Sequence, residues 1–286
     1  MKLSVTTYSF KKYIMNERCD YFKVCDIAKE IGFEGIEFIN LDHKDFGITD
    51  NPLKTAKEIK SYCDSIGLEI SSYTVSGNLF AEDIEAEVER LIECVDVAEA
   101  LGVGVMRHDV CFKLPSKYLY GYKDAITDIV PHIRRITEYA KGKGIKTCIE
   151  NHGHIFQAPE RVEELIRAVN SDNYGWLVDV GNFLCVDADP IHAVTVAAPY
   201  AFHVHAKDFL YKSGELCKPT GFFATAGGNY LRGTVVGHGT VPVTTCIRKL
   251  KASGYDGWVS LEFEGMEDTI PALKAGYDYL KRIVSE

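Results

Sequence analysis

The sequence predicts an α/β protein, a single-domain (β/α)8 TIM barrel spanning residues 1–286 with one long connection between its seventh strand and seventh helix. Three observations carry this expectation. A helix–glycine–strand phrase recurs along the chain, eight strand-like runs alternate with helical stripes, and the whole repeat fits in 286 residues. Regular strand–helix alternation implies a parallel sheet, and eight units at this length favour closure into a barrel. A doubly wound open sheet is the runner-up. It is weakened because no Gly-x-Gly-x-x-Gly stands at a strand–helix turn.

The phrase is explicit in the residues. Ala28-Lys-Glu-Ile-Gly32 leads into Phe33-Glu-Gly-Ile-Glu-Phe38, and Cys63-Asp-Ser-Ile-Gly67 leads into Leu68-Glu-Ile-Ser-Ser-Tyr73. Glu99-Ala-Leu-Gly102, Lys141-Gly-Lys-Gly144 and Lys251-Ala-Ser-Gly254 precede further strands in the same way. Glycine at such a position can take the left-handed conformation that stops a helix. The strands are expected at 2–8, 34–39, 68–75, 103–108, 145–150, 175–179, 201–206 and 257–262, with a C-terminal helix near 268–284. Ile84, Val88, Leu91, Ile92, Val95 and Ala98 recur at the three-and-four spacing of one buried helical face. Ile126, Val130, Ile133 and Ile136–Ala140 repeat the pattern. The connection 209–241, rich in Gly, Lys, Phe and Tyr, exceeds the roughly 15 residues of ordinary loops and is read as a lid over the barrel mouth.

Composition narrows the function. Hydrophobic residues make up 46%, enough for a full core, and the formal net charge is −9 without a long Lys/Arg cluster. Nucleic-acid and anionic-membrane partners, which need a basic face, are not expected. No apolar run approaches the roughly 18 residues of a membrane span, and the N-terminus passes directly into strand-like residues. Nine scattered cysteines without a Cys-x-x-Cys pair read as reduced core thiols, which points to a cytoplasmic protein.

Four polar residues, Glu150, Asp179, His205 and Glu262, each end one of the apolar runs. A carboxylate at the end of a buried strand is costly unless paired. In a barrel of this class all strand C-termini face one mouth, so the four converge along consecutive strands. Three carboxylates and an imidazole there would repel or take up protons without a cation. The set reads as the ligands of one divalent metal, best suited to Mn²⁺, with Mg²⁺, Co²⁺ or Zn²⁺ as alternatives.

The motifs Cys148-Ile-Glu150-Asn-His-Gly, Leu177-Val-Asp179-Val-Gly-Asn, His203-Val-His205-Ala-Lys-Asp, Gly237-His-Gly-Thr-Val and Gly254-Tyr-Asp-Gly with Ser260-Leu-Glu262 stand in order on the expected strands. In this order the chain resembles the xylose-isomerase-like TIM barrel family of sugar phosphate isomerases and epimerases, including D-tagatose 3-epimerase-like and inosose dehydratase-like members. The resemblance implies Glu150, Asp179, His205 and Glu262 as metal ligands and a small sugar as substrate. Family members are often homo-oligomers, and these residues do not decide whether this chain is one. In epimerases of this type the two glutamates exchange a proton on opposite faces of one carbon, which assigns Glu150 and Glu262 as catalytic. Three positions depart from the epimerase pattern: Asn182 stands for a histidine, Phe156 for an acid and Tyr211 for an arginine.

The first functional expectation is a metal-dependent epimerase or isomerase of a ketose or keto-sugar, acting through an enediolate. The alternative is a lyase that dehydrates a keto-inositol or eliminates from a 3-keto-glycoside, in which His152 acts as acid or base. A non-catalytic sugar-binding barrel is a third reading. A nuclease resembling endonuclease IV is disfavoured by Asn182 and by the negative charge. Candidate substrate contacts are Asn182, Arg107, Lys207, Tyr8 and Arg232. Tyr8 and Phe38, at the ends of the first two strands, are expected to form an apolar wall for a sugar ring. Lys207 and Asp208 are expected to pair with each other. His203 reads as a deeper supporting histidine and Glu264 as a rim residue.

Overall fold

The computed structural model describes residues 1–41, 51–118 and 121–286. Its centre is a closed parallel barrel of eight strands. They are β1 (Lys2–Thr6), β2 (Gly35–Ile39), β3 (Glu69–Val75), β4 (Val105–His108), β5 (Lys146–Glu150), β6 (Tyr174–Asp179) and β7 (Ala201–Ala206), with β11 (Trp258–Leu261) closing against β1. The strands agree with the expected runs to within two residues at nearly every end. Around them lie α1 (Lys11–Glu17), α2 (Tyr21–Ile31), α3 (Pro52–Ile66), α4 (Ile84–Leu101), α5 (Tyr122–Gly142), α6 (Pro159–Val169), α7 (Pro190–Ala197), α8 (Val243–Ala252) and α9 (Thr269–Val284). No helix among the described residues is long and apolar enough to cross a membrane.

Local chemistry sets the helix limits. The Asp20 carboxylate accepts the Lys23 amide at 2.9 Å to open α2, and Asp83 and Asp189 do the same for α4 and α7. Gly32 ends α2 at φ 114°, a conformation that costs other residues a steric clash. The stripe read from α4 is the buried one: Val88, Leu91, Val95 and Ala98 are fully covered, while Ile84 and Ile92 are partly so. The nine cysteines are free thiols, among them the buried Cys25, Cys94, Cys148 and Cys246.

The core between strands and helices is apolar, but the barrel lumen is not. Ser4 and Ser260 hydroxyls meet at 2.6 Å, and Thr74 donates to Glu37 at 2.7 Å. His203 Nε2 lies 2.9 Å from Glu37, 2.8 Å from Ser260 and 3.3 Å from Ser72. Strands β7 and β2 are not neighbours in the sheet. The contacts to Glu37 and Ser72 therefore cross the lumen, and His203 lies deep within it, as its place two residues before His205 led us to expect.

Two expectations are corrected. The first strand stops at Thr6, and Tyr8 lies in a single 3₁₀ turn, Thr7–Phe10, capped by the Thr6 hydroxyl. Phe38 packs edge-on against Tyr21 of α2 at 5.6 Å between ring centroids, so it belongs to the outer core and not to a wall of the mouth. Strand alternation explains this: Glu37 points inward, so Phe38 must point out.

The long connection is a folded element rather than an irregular loop. Strands β8 (Asp208–Lys212), β9 (Phe223–Ala224) and β10 (Tyr230–Thr234) form an antiparallel sheet in the order β8-β10-β9. The fully buried Phe209 and Leu231 anchor it. Asp187 ties its turn down by accepting from the Thr225 hydroxyl, the Gly227 amide and the Asn229 side-chain amide. The expected Lys207–Asp208 pair does not form. The buried Asp208 carboxylate instead accepts four backbone amides, from Phe209, Gly237, Gly239 and Val241, at 2.8–3.0 Å. Asp208→Ala should lower unfolding stability by about 2–6 kcal/mol, since the Phe209 and Val241 amides are buried and each left without a partner costs about 1–3 kcal/mol. Urea denaturation of the variant measures that loss.

Candidate metal centre and active site

Glu150, Asp179 and His205 lie in the last turns of β5, β6 and β7, and Glu262 directly follows β11. These strands are consecutive around the barrel. All four side chains are buried, and one ligand atom from each lies within 4.8 Å of the others. A second buried group, Glu37, His203 and His205, lies deeper and shares His205.

Neighbouring residues hold the four in place. The Asn151 side chain receives the Asp179 amide and the Trp176 indole N–H, each at 3.0 Å, and donates to the Asp179 carbonyl at 2.8 Å. Asp179 Oδ1 accepts the Gly181 and Asn182 amides at 2.8 and 2.9 Å. Gly181 is required there, because a Cβ would stand 2.8 Å from the Lys207 carbonyl oxygen. Asp179 Oδ2 is buried without a hydrogen bond among the described residues, and Lys207 Nζ is 3.3 Å away.

Two cations and one amide interleave with the carboxylates. Arg107 Nη2 meets Glu150 Oε2 at 2.6 Å and Asp109 Oδ1 at 2.8 Å. Asn182 donates to Glu150 Oε1 at 2.9 Å. Lys207 Nζ lies 3.0 Å from Glu262 Oε2, 3.7 Å from Glu264 and 3.3 Å from the side-chain oxygen Oδ1 of Asn182. His205 Nδ1 is 3.0 Å from Glu262 Oε2, while its Nε2 is 3.0 Å from both oxygens of Glu37.

The charges shift accordingly. Burial, reinforced by Glu150 and Glu262, pushes the Asp179 carboxyl up to about 6 against the pull of Lys207. Burial also raises Glu262, but Lys207 and His205 outweigh it and hold that carboxyl below its usual range. His205 is raised well above an ordinary imidazole, because Glu37 and Glu262 overcome the burial penalty.

Beside this group stands a dyad. His152 Nδ1 is 3.3 Å from Asp109 Oδ1 and 3.2 Å from Arg107 Nη2. The Phe112 ring meets the imidazole edge-on at 5.2 Å. The His152 side chain is 41% exposed while Asp109 is 7% exposed, so a buried carboxylate orients an accessible imidazole. Burial lowers the His152 pKa, but the hydrogen bond and charge of Asp109 carry it above its ordinary value.

The remaining candidates spread around the rim. Tyr8 lines a cavity of about 300 Å³ with Ser9, Lys12, Phe263 and Glu264. Arg232, on β10, bonds Glu267 at 3.2 Å and lies over the Phe222 ring. Phe156 is buried against Tyr122, and Tyr211 is exposed, so neither takes a place beside the four strand-end residues. Sequence reasoning missed Glu37, Asp109 and Asn151. Glu37 had a signal, an acid in mid-strand between Ile36 and Phe38. Asp109 and Asn151 each sit one residue beyond a strand end, where nothing distinguishes them from solvated loop polars.

The group fits a divalent cation on this structure's own terms. Glu37, Asp109, Glu150, Asp179 and Glu262 are buried together with two permanent cations, Arg107 and Lys207. Asp179 Oδ2 has no hydrogen bond among the described residues, and one ligand atom from each of the four residues lies within 4.8 Å of the others. Oxygen donors with one imidazole suit Mn²⁺, Mg²⁺ or a related ion, whose identity the donor set leaves open.

A closed eight-stranded barrel with buried carboxylate–imidazole groups at the C-terminal ends of its strands defines the class, the TIM barrels with a candidate metal site at the mouth. Residues 25–283 match the xylose isomerase-like TIM barrel family, and the chain belongs to it. It is 26% identical over 254 residues to the rhizopine catabolism protein MocC of Rhizobium meliloti, covering 79% of this chain and 73% of that protein. It is 24% identical over 252 residues to inosose dehydratase of Lacticaseibacillus casei, covering 84% of each. Among solved structures, the IOLI protein with a bound zinc atom superposes with a TM-score of 0.75 at 18% identity, covering 100% of this chain and 98% of that one. The buried clusters are consistent with the metal-dependent sugar isomerases, epimerases and lyases of the family.

Asp179→Asn separates metal binding from folding. Without metal it removes a carboxyl whose charge burial disfavours, so the melting temperature should hold or rise. With excess Mn²⁺ the parent protein should gain stability by linkage while the variant gains little. Thermal melts of both proteins with and without Mn²⁺ check this.

Proposed function

We propose that the protein is a metal-dependent lyase that eliminates water or an aglycone from the carbon β to a ketone on a polyhydroxylated ring. The observation that carries this reading is the Asp109–His152 dyad beside Glu150, an accessible imidazole held by a buried carboxylate. Glu150, Asp179, His205 and Glu262 would hold a divalent ion, which supplies Lewis-acid polarisation of the substrate carbonyl.

The side chains divide the remaining work. Both oxygens of Glu150 are engaged, by Arg107 and Asn182, which leaves it poorly disposed to accept a proton. The side-chain contacts of Glu262 found among the described residues all fall on Oε2, from His205 and Lys207. Oε1 of Glu262 is therefore assigned as the base that takes the proton from the carbon next to the ketone. The electron pair left on that carbon forms an enediolate, then expels the oxygen at the β carbon. His152, protonated and steadied by Asp109, gives that oxygen its proton as the C–O bond breaks. Tyr8, which lines a cavity beside Glu264, and Asn182 and Lys207, which touch the carboxylates, would bond ring hydroxyls, and Arg232 on the inserted sheet would close over them as part of a lid. The relatives named for inosose dehydration and rhizopine catabolism support a cyclic polyol-derived ketone as substrate.

A second reading is favoured by one specific observation. Glu150 and Glu262 stand at opposite ends of the row of four strands, as a two-base epimerase or isomerase of a ketose or keto-sugar needs. Proton NMR in D₂O with keto-inositols, 3-keto-glycosides and ketoses separates the two. Loss of water or aglycone marks the lyase, and clean deuteration with inversion marks the epimerase and sinks the proposal. His152→Ala should slow elimination by about 10²–10³-fold, a typical loss for a general acid, while deuterium exchange next to the ketone continues.

A further inference from the structure

We propose that Glu37 is a positioning residue for the metal centre, a buried carboxylate strut that fixes the ring and tautomer of His205. It follows that the deeper group of Glu37, His203 and His205 is not a second metal site. The inference rests on Glu150, Asp179, His205 and Glu262 being a divalent-cation site, but not on the reaction that the site performs.

The geometry divides the two nitrogens of His205 between two environments. Nδ1 faces Glu262 at 3.0 Å and Glu150 at 3.8 Å, on the side of the ligand group. Nε2 faces Glu37, 3.0 Å from each of its oxygens. A carboxylate can only accept, so in the metal-free protein each nitrogen carries a proton, Nε2 toward Glu37 and Nδ1 toward Glu262. Nδ1, the nitrogen beside the other candidate ligands, would give up its proton to ligate, and the N–H kept against Glu37 would make it a stronger donor.

Glu37 is itself fully committed. It is completely buried on β2, across the lumen from β7. Oε1 accepts the Thr74 hydroxyl at 2.7 Å, and Oε2 lies 2.9 Å from His203 Nε2. His203 in turn lies 2.8 Å from Ser260 and 3.3 Å from Ser72, and Ser260 meets Ser4. Donors on β3 and β7, backed by serines on β1, β3 and β11, thus hold one carboxylate against one imidazole. A metal ion among Glu37, His203 and His205 would displace these protons, and it would require His205 to ligate through both nitrogens at once.

The experiment measures metal binding, with no substrate present. Isothermal titration of the metal-free protein with Mn²⁺ should find one ion per chain, and Glu37→Gln should weaken its binding by about 10–100-fold, the usual effect of losing such a partner. Glu37→Gln could disturb folding, so the parent protein is also loaded with Zn²⁺ and its His205 observed by long-range ¹H–¹⁵N NMR. Nε2 is expected to be protonated and Nδ1 to be metal-bound. Two ions per chain, a metal-bound Nε2, or unchanged affinity in a folded Glu37→Gln protein would overturn the assignment of Glu37 alone. A parent protein that binds no divalent ion would overturn the metal centre along with it.

Discussion

The structure depends on keeping ionised groups satisfied in a place where water is scarce. The lumen and its mouth hold Glu37, Asp109, Glu150, Asp179 and Glu262 against Arg107 and Lys207, with His205 between them. Burying a single unpaired charge there would cost several kcal/mol, so each of these side chains needs a partner at a fixed distance. Arg107 serves Glu150 and Asp109 together, and Lys207 bridges Asp179, Glu262 and Glu264. The backbone is arranged to suit. Gly181 lets the chain pass close to Lys207, and Asn151 ties the ends of β5 and β6 together.

This constraint links the fold to the chemistry. In a parallel barrel, residues distant in sequence reach one mouth, and the four strand-end residues gather from four successive strands. Below them the lumen is not filled by the branched apolar layers common in such barrels. Serines, a threonine, Glu37 and His203 occupy it, and their hydrogen bonds run across the barrel as well as between neighbouring strands. The polar interior is therefore continuous with the site, and a change at its floor is felt at the ligand atoms.

Much of this was legible in the residues, for identifiable reasons. The glycines at 32, 67, 102, 144 and 254 all adopt positive φ, so the phrase that located the strands was a real stop signal. The strand-end residues stood out because a charge at the edge of an apolar run is rare unless it is used. The folded character of 209–241 was hidden because its strands are short and depend on buried Phe209 and Leu231, which single-sequence patterning does not isolate. Asp208 was misread for a related reason. Adjacent Lys and Asp look like a pair, but on an extended chain their side chains leave on opposite sides. Lys207 went to the carboxylates, and Asp208 went to the backbone of the returning chain.

The Asp208 contacts have an architectural consequence. By gripping amides at both Phe209 and Gly237–Val241, this carboxylate cinches the inserted sheet at its neck. The barrel perceives only a short closed collar there, whatever hangs beyond it. The hairpin above the collar is thus a module that can be lengthened, trimmed or exchanged with little strain on the eight staves below, and the contour it presents to incoming molecules can diverge faster than the scaffold that carries it.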